Sequence, residues 1–169
     1  MNIVIRDATA DDFPILFEIS AIVHQRDYGG FIPADERAEF NARYELTDEN
    51  RDSFVALCHE RLALGTWHYV VATNEAGEIL GYTQALQADE HHLVKRGMFV
   101  RPEYQGQGIG SHLMKISLEG VESGRVDLFV LKKNVRAQKL YEKYGFQSQG
   151  LADHTFFGAP LIKMSLKKP

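Results

Sequence analysis

A chain of 169 residues with 44% hydrophobic and 25% charged content has room for one core and excludes a second domain of ordinary size. A lone cysteine, Cys58, rules out an intramolecular disulfide and a cysteine-based zinc site, and no apolar run approaches membrane-spanning length. With Arg6 and Asp7 too early for a signal peptide and a net charge of −4 without a basic stripe, the expectation is one soluble cytoplasmic domain over residues 1–169, with neither membrane nor nucleic acid as partner.

Ile3-Val4-Ile5 predicts a first strand, after which Phe13, Leu16, Phe17, Ser20 and Val23 recur at helical spacing through about residue 26. Tyr28-Gly29-Gly30-Phe31-Ile32-Pro33 reads as a loop. Helical stretches follow near 34–44 and 48–64, the second with Phe54, Cys58 and Leu62 on one face until Gly65 stops it. Residues 67–73 and 79–87 form a hairpin about the turn at 74–78, and 93–101 supplies the next strand, in which Gly97 predicts a bulge or a close backbone approach. A helix near 108–122, a strand at 126–131, a helix near 134–144 and strands near 146–153 and 160–166 complete the chain. This order predicts an α/β (α+β) domain, a mixed sheet flanked by helices.

Between the strand ending at Val100 and the following helix lies Gln105-Gly106-Gln107-Gly108-Ile109-Gly110. Glycines at every second position let successive N–H groups turn toward one point, and the helix adds its unpaired amides, so the segment predicts an anion cradle suited to a pyrophosphate. A dinucleotide fingerprint needs its third glycine one position later and an acid at the end of the next strand, whereas Asp127 stands at its start. The lysine of a nucleoside-triphosphate loop is also missing after Gly110.

With Val100-Arg101-Pro102-Glu103-Tyr104 in front and Ser111-His112-Leu113-Met114 behind, this loop resembles the acyl-CoA loop of the GNAT superfamily of N-acetyltransferases. A second motif, running from Asn134 through Ala137 and Tyr141 to Gly145-Phe146, is similar to the family's asparagine-to-tyrosine helix. The resemblance covers residues 67–166 well. It implies a mostly antiparallel sheet of about six to seven strands with a central splayed pair, about four helices, and acetyl-CoA as co-substrate without a metal.

On that resemblance, the open edge at Met98, Phe99 and Val100 would bond the amide arm of the donor, with a main-chain N–H near Phe99 facing the developing oxyanion. The loop amides of Gln105, Gly106, Gln107, Gly108, Ile109, Gly110 and Ser111 would hold the pyrophosphate, with Arg101, Lys132, Lys133 and Arg136 available to a further phosphate. Asn134, Ala137 and Tyr141, at i, i+3 and i+7, share one helix face about 10 Å long. The resemblance makes Tyr141 the general acid that protonates the departing thiolate. Many family members carry a carboxylate on the strand before the loop, but 93–100 holds no acid, so the base is unassigned; Asp89, Glu90, His91 and His92 lie at that strand's start.

The expected activity is acetyl transfer to a primary amine, small, polyamine-like or peptidic, by direct attack in a ternary complex. A non-catalytic acyl-CoA-binding or sensing module is the alternative. Residues 1–60 hold 13 acids against 5 bases, which favours a cationic acceptor, while residues 61–169 hold 14 bases against 10 acids, which suits a phosphorylated donor. Trp67 and the stretch from His154 to Gly158 read as core, with an acceptor pocket or a homodimer face left open.

Overall fold

In a computed structural model describing residues 2–119, 121 and 124–169, strand β2 (Trp67–Thr73) sorts its side chains by alternation: Tyr69 and Val71 pack to one face, Val70 and Ala72 to the other. The first face is covered by α1 (Phe13–Val23) and α3 (Asp48–Ala63), which bring Phe13, Leu16, Ile19 and Cys58 onto the sheet. The second is covered by α4 (Ile109–Glu119) through Ile109 and Leu113. Thr47 caps α3 by accepting from the Asn50 N–H at 3.2 Å.

Seven strands form one sheet in the order β1-β2-β3-β4-β5-β7-β6, the others being β1 (Val4–Asp7), β3 (Ile79–Asp89), β4 (His92–Val100), β5 (Gly124–Leu131), β6 (Gln147–Phe156) and β7 (Ala159–Lys168). All neighbours pair antiparallel except β4 and β5. Helices α2 (Arg37–Arg43) and α5 (Val135–Lys143) bring the α-helices among the described residues to five, as the chain-order reading predicts. Among the described residues no helix is long and apolar enough to cross a membrane.

Two expectations need correction. The first helix does not run on to residue 26 as α-helix: it gives way at Val23 to a π-helical turn, His24–Tyr28, closed by the Gly29 N–H donating to the His24 carbonyl. The wider turn brings the His24 and Tyr28 rings edge to face at 4.9 Å. In α3, Phe54 and Cys58 face the core but Leu62 is 36% exposed. Phe54 meets Phe17 and His59 meets Phe13 at the start of α1, so Leu62 lies past the end of its partner helix.

Candidate active site

Parallel pairing of β4 with β5 extends only from His92 opposite Arg125 to Lys95 opposite Leu128, and beyond it the two strands part. The cause lies in β4 itself. Its pairing with β3 skips Arg96, since Gln84 stands opposite Gly97 and Ala85 opposite Lys95. A Cβ on Gly97 would come within 2.6 Å of the Phe99 ring, so only glycine fits the bulge. The extra residue also flips the alternation. Leu93 and Lys95 face α4 before it, and Met98 and Val100 face α4 after it, whereas Phe99 turns to the α1 face.

The bulge leaves usable backbone on the open edge. Arg101 donates its N–H to the Leu80 carbonyl at 2.8 Å, and Phe99 stands opposite Tyr82, so alternation turns the Phe99 backbone to β3 and the N–H and C=O groups of Met98 and Val100 to the slot. An amide near Phe99 is therefore available, but it belongs to Met98 or Val100. The Val100 carbonyl accepts from Gln105 Nε2 at 3.1 Å.

A short 3₁₀ turn, Pro102–Tyr104, leads from β4 into the glycine loop. Gly106 and Gly108 adopt φ of +79° and +88°, in the left-handed region that favours glycine. Among the described residues, no backbone carbonyl accepts from the N–H groups of Gly106, Gln107, Gly108, Gly110 or Ser111. The Gln105 N–H differs, being spent on Pro102 O at 3.3 Å. Its side chain acts as a latch instead, donating to Asp27 at 3.0 Å and accepting from Arg26 at 3.2 Å. Ile109 is buried in the α4 core, and Gly110 lies near Met98 and Val100, where an added Cβ would make ordinary contacts of 3.7 and 3.9 Å. Arg101 bonds Ile79 O and Glu18, which removes it from the phosphate candidates, while Arg136 lines the slot and Lys132 and Lys133 do not.

The loop, the open β4 edge and α5 enclose a slot of about 840 Å³ that Tyr28 closes from the side of α1. A smaller cavity of about 310 Å³ continues it inward, sharing Tyr28, Met98, Asn134, Ala137 and Tyr141. Asn134 spends its Oδ1 capping α5 on the Ala137 N–H at 3.1 Å, which leaves its amide nitrogen for a ligand. The Tyr141 hydroxyl has no protein partner among the described residues, and burial pushes the phenol upward, so it stays protonated.

Sequence reasoning missed His24. Its Nδ1 lies 2.6 Å from the Ser20 carbonyl, an acceptor only, so that nitrogen carries the proton and Nε2 keeps a lone pair. The ring lines the inner cavity between Tyr28, Tyr44, Phe99 and Phe156, and burial lowers its pKa to about 4. In sequence it falls inside the helical stretch that runs to about residue 26, where spacing alone does not mark it. His92, by contrast, is held on Asp127 at 3.0 Å, among Arg125, Lys163 and Ser165.

Residues 65–148 match the acetyltransferase (GNAT) domain family. The chain is 31% identical over 121 residues to a putative [ribosomal protein bS18]-alanine N-acetyltransferase of Bacillus subtilis, covering 69% of this chain and 76% of that protein. It is 26% identical over 149 residues to the Escherichia coli K12 spermidine N(1)-acetyltransferase, covering 85% and 76%. A match of 32% over 84 residues to an N-acetyltransferase of Mycobacterium tuberculosis, described as uncharacterized, covers 48% of this chain and spans only about half, 54%, of that relative's length. Among solved structures, the PaiA N-acetyltransferase of Thermoplasma acidophilum in complex with coenzyme A superposes with a TM-score of 0.74 at 19% identity, over 99% of both chains.

Proposed function

The chain belongs to the GNAT acetyltransferase family, and on that premise we propose that it transfers an acetyl group from acetyl-CoA to a primary amine by direct attack. The observation that carries this reading is the meeting of three features on one slot: the unpaired loop amides, the β4 backbone of Met98 and Val100 turned away from β3, and the Tyr141 hydroxyl, unpartnered among the described residues. These groups fit the donor part by part. Loop amides and the start of α4 suit a pyrophosphate, with Arg136 for a further phosphate. The strand edge suits an amide-bearing arm, and the Asn134 amide nitrogen adds a donor.

Acetyl-CoA would supply the activated acyl group, and the protein would supply proton management around it. An amide of Met98 or Val100 stabilises the carbonyl oxygen as it gains charge. Tyr141, kept protonated by burial, gives its proton to the leaving sulfur. His24 Nε2 accepts the proton from the attacking nitrogen. A weak base suffices there, because an amine becomes strongly acidic once it bonds the carbonyl carbon. Small, polyamine-like and peptide amines are all candidate acceptors.

Release of free thiol from acetyl-CoA across a panel of such amines tests the proposal. Turnover above background with any of them supports it. Saturable acetyl-CoA binding with background release throughout would replace it by the sensing role that the missing strand carboxylate suggests.

A further inference from the structure

Ten arginines are distributed along the chain, and five of them are ion-paired to carboxylates: Arg6 to Asp12, Arg26 to Asp27, Arg51 to Asp48 and Asp52, Arg101 to Glu18 and Arg125 to Asp127. Arg37 is bonded to the Ile32 carbonyl. The remaining four have no carboxylate within ion-pair distance among the described residues. One, Arg136, lines the donor slot. The other three, Arg43, Arg61 and Arg96, all line a third cavity of about 800 Å³.

In a chain with more acids than bases, this is a biased distribution. Three arginines from three elements line one hollow, and among the described residues that line it Glu39 is the single acid. Coulomb repulsion between them is tolerable in water and is relieved by a bound anion. Arg61 is also positioned in advance, since its guanidinium carbon lies 3.9 Å above the Trp67 ring. Arg96 owes its place to the β4 bulge. This cavity shares Arg96 and Phe156 with the inner cavity that holds His24 and Tyr141. An acceptor bridging the two would put its anionic end among the arginines and its amine beside His24.

We propose that the acceptor is a primary amine that also carries a carboxylate, held by Arg43, Arg61 and Arg96, so that amines lacking an anionic group are poor substrates. The inference rests on the acetyltransferase reading and narrows it. It runs against the preference for polycations that the acidic first sixty residues suggested, because local charge at the cavity outweighs the distant average. Bidentate pairing of a guanidinium with a carboxylate accounts for the use of arginine in place of lysine at all three positions.

Trp67 is the chain's single tryptophan and lines this cavity, so its fluorescence reports acceptor binding whether or not turnover occurs. The probes are lysine and cadaverine, which differ by one carboxylate, with spermidine as the polycation. Titration of the wild type should show a saturable change with lysine at a Kd at least 10-fold below that of cadaverine or spermidine. The preference should collapse in Arg96→Gln and Arg61→Gln, with acetyl-CoA affinity unchanged. Equal or tighter binding of cadaverine or spermidine overturns the proposal, as does a preference for lysine that survives both substitutions. Thiol release measured on the same samples separates the two readings: carboxylate-dependent binding without turnover removes the enzyme activity, and turnover favouring cadaverine or spermidine removes only the anionic acceptor.

Discussion

His24 lies flat on Tyr44, with ring centroids 3.9 Å apart and planes at 6°, while its Nδ1–H donates to Ser20 O at 2.6 Å. The stack and the hydrogen bond hold one tautomer with the Nε2 lone pair free. His24→Gln should lower kcat about 100-fold with acetyl-CoA KM unchanged. The pH profile carries a separate signature. Because burial holds the imidazole at about 4, the base is already unprotonated at pH 6, and the wild type should show no acid limb near the usual histidine value. A limb centred near pH 6.5 in kcat/KM, absent in the variant, would contradict the buried-base assignment.

The same shift predicts a stability effect. In the unfolded chain the imidazole takes a proton near its ordinary value, whereas the folded state resists it down to about 4. The unfolded state therefore binds more protons within that window, and stability falls as pH drops from about 6.5 toward 4. Urea melts of wild type and His24→Gln across that range should show a steeper loss for the wild type.

Tyr141→Phe removes a hydroxyl that has no protein partner among the described residues, so the fold should be unaffected and the melting temperature nearly unchanged. Loss of the acid should cut kcat by about 100-fold with acetyl-CoA KM held constant. Steady-state thiol release at saturating acceptor measures both quantities. Unchanged kcat would remove the tyrosine from proton transfer.

Gly108 combines a φ of +88° with an unpaired N–H, so two effects can be separated there. Asparagine tolerates the left-handed region and is neutral, and Gly108→Asn should weaken coenzyme A binding only a few-fold. Gly108→Asp adds a carboxylate beside the proposed pyrophosphate site and should weaken it at least 10-fold more. Calorimetric titration with coenzyme A distinguishes them, and equal losses would place the cost in backbone strain alone.

Lys95 is buried with its ammonium bonded to Thr83 and Ser117, and burial lowers its pKa to about 7. Both hydroxyls already donate elsewhere, Thr83 to Gly97 O and Ser117 to Leu113 O, so Lys95→Met strands no hydroxyl donor. The folded state binds fewer protons than the unfolded one between about 7 and 10.5, which makes wild-type stability rise with pH across that interval. The variant should thus gain on the order of 3 kcal/mol at pH 7 or below, shrinking toward pH 10. Denaturant melts at pH 6.5 and 9.5 test this, and a pH-independent gain would mean that packing alone is responsible.

The order of elements, the place of the glycine loop and the bulge at Gly97 could be read from local patterning. Each depends on residues close in sequence: alternation for strands, left-handed glycines for the loop, a missing Cβ where a strand must kink. The two family motifs also lie in continuous segments, which is why the donor side was legible. His24, the Gln105 latch on Asp27 and the arginine cavity depend instead on contacts between residues tens of positions apart. No local pattern distinguishes Arg43, Arg61 and Arg96 from the arginines that neutralise carboxylates. Charge counted along the chain even favoured a cationic acceptor, because a running balance averages over faces that never meet. The sequence by itself determined the family, the elements and the donor motifs; tertiary structure decided which imidazole is buried with a free lone pair and which guanidiniums are left without a carboxylate. Burial and pairing are properties of surfaces brought together in space, and one-dimensional spacing does not encode them.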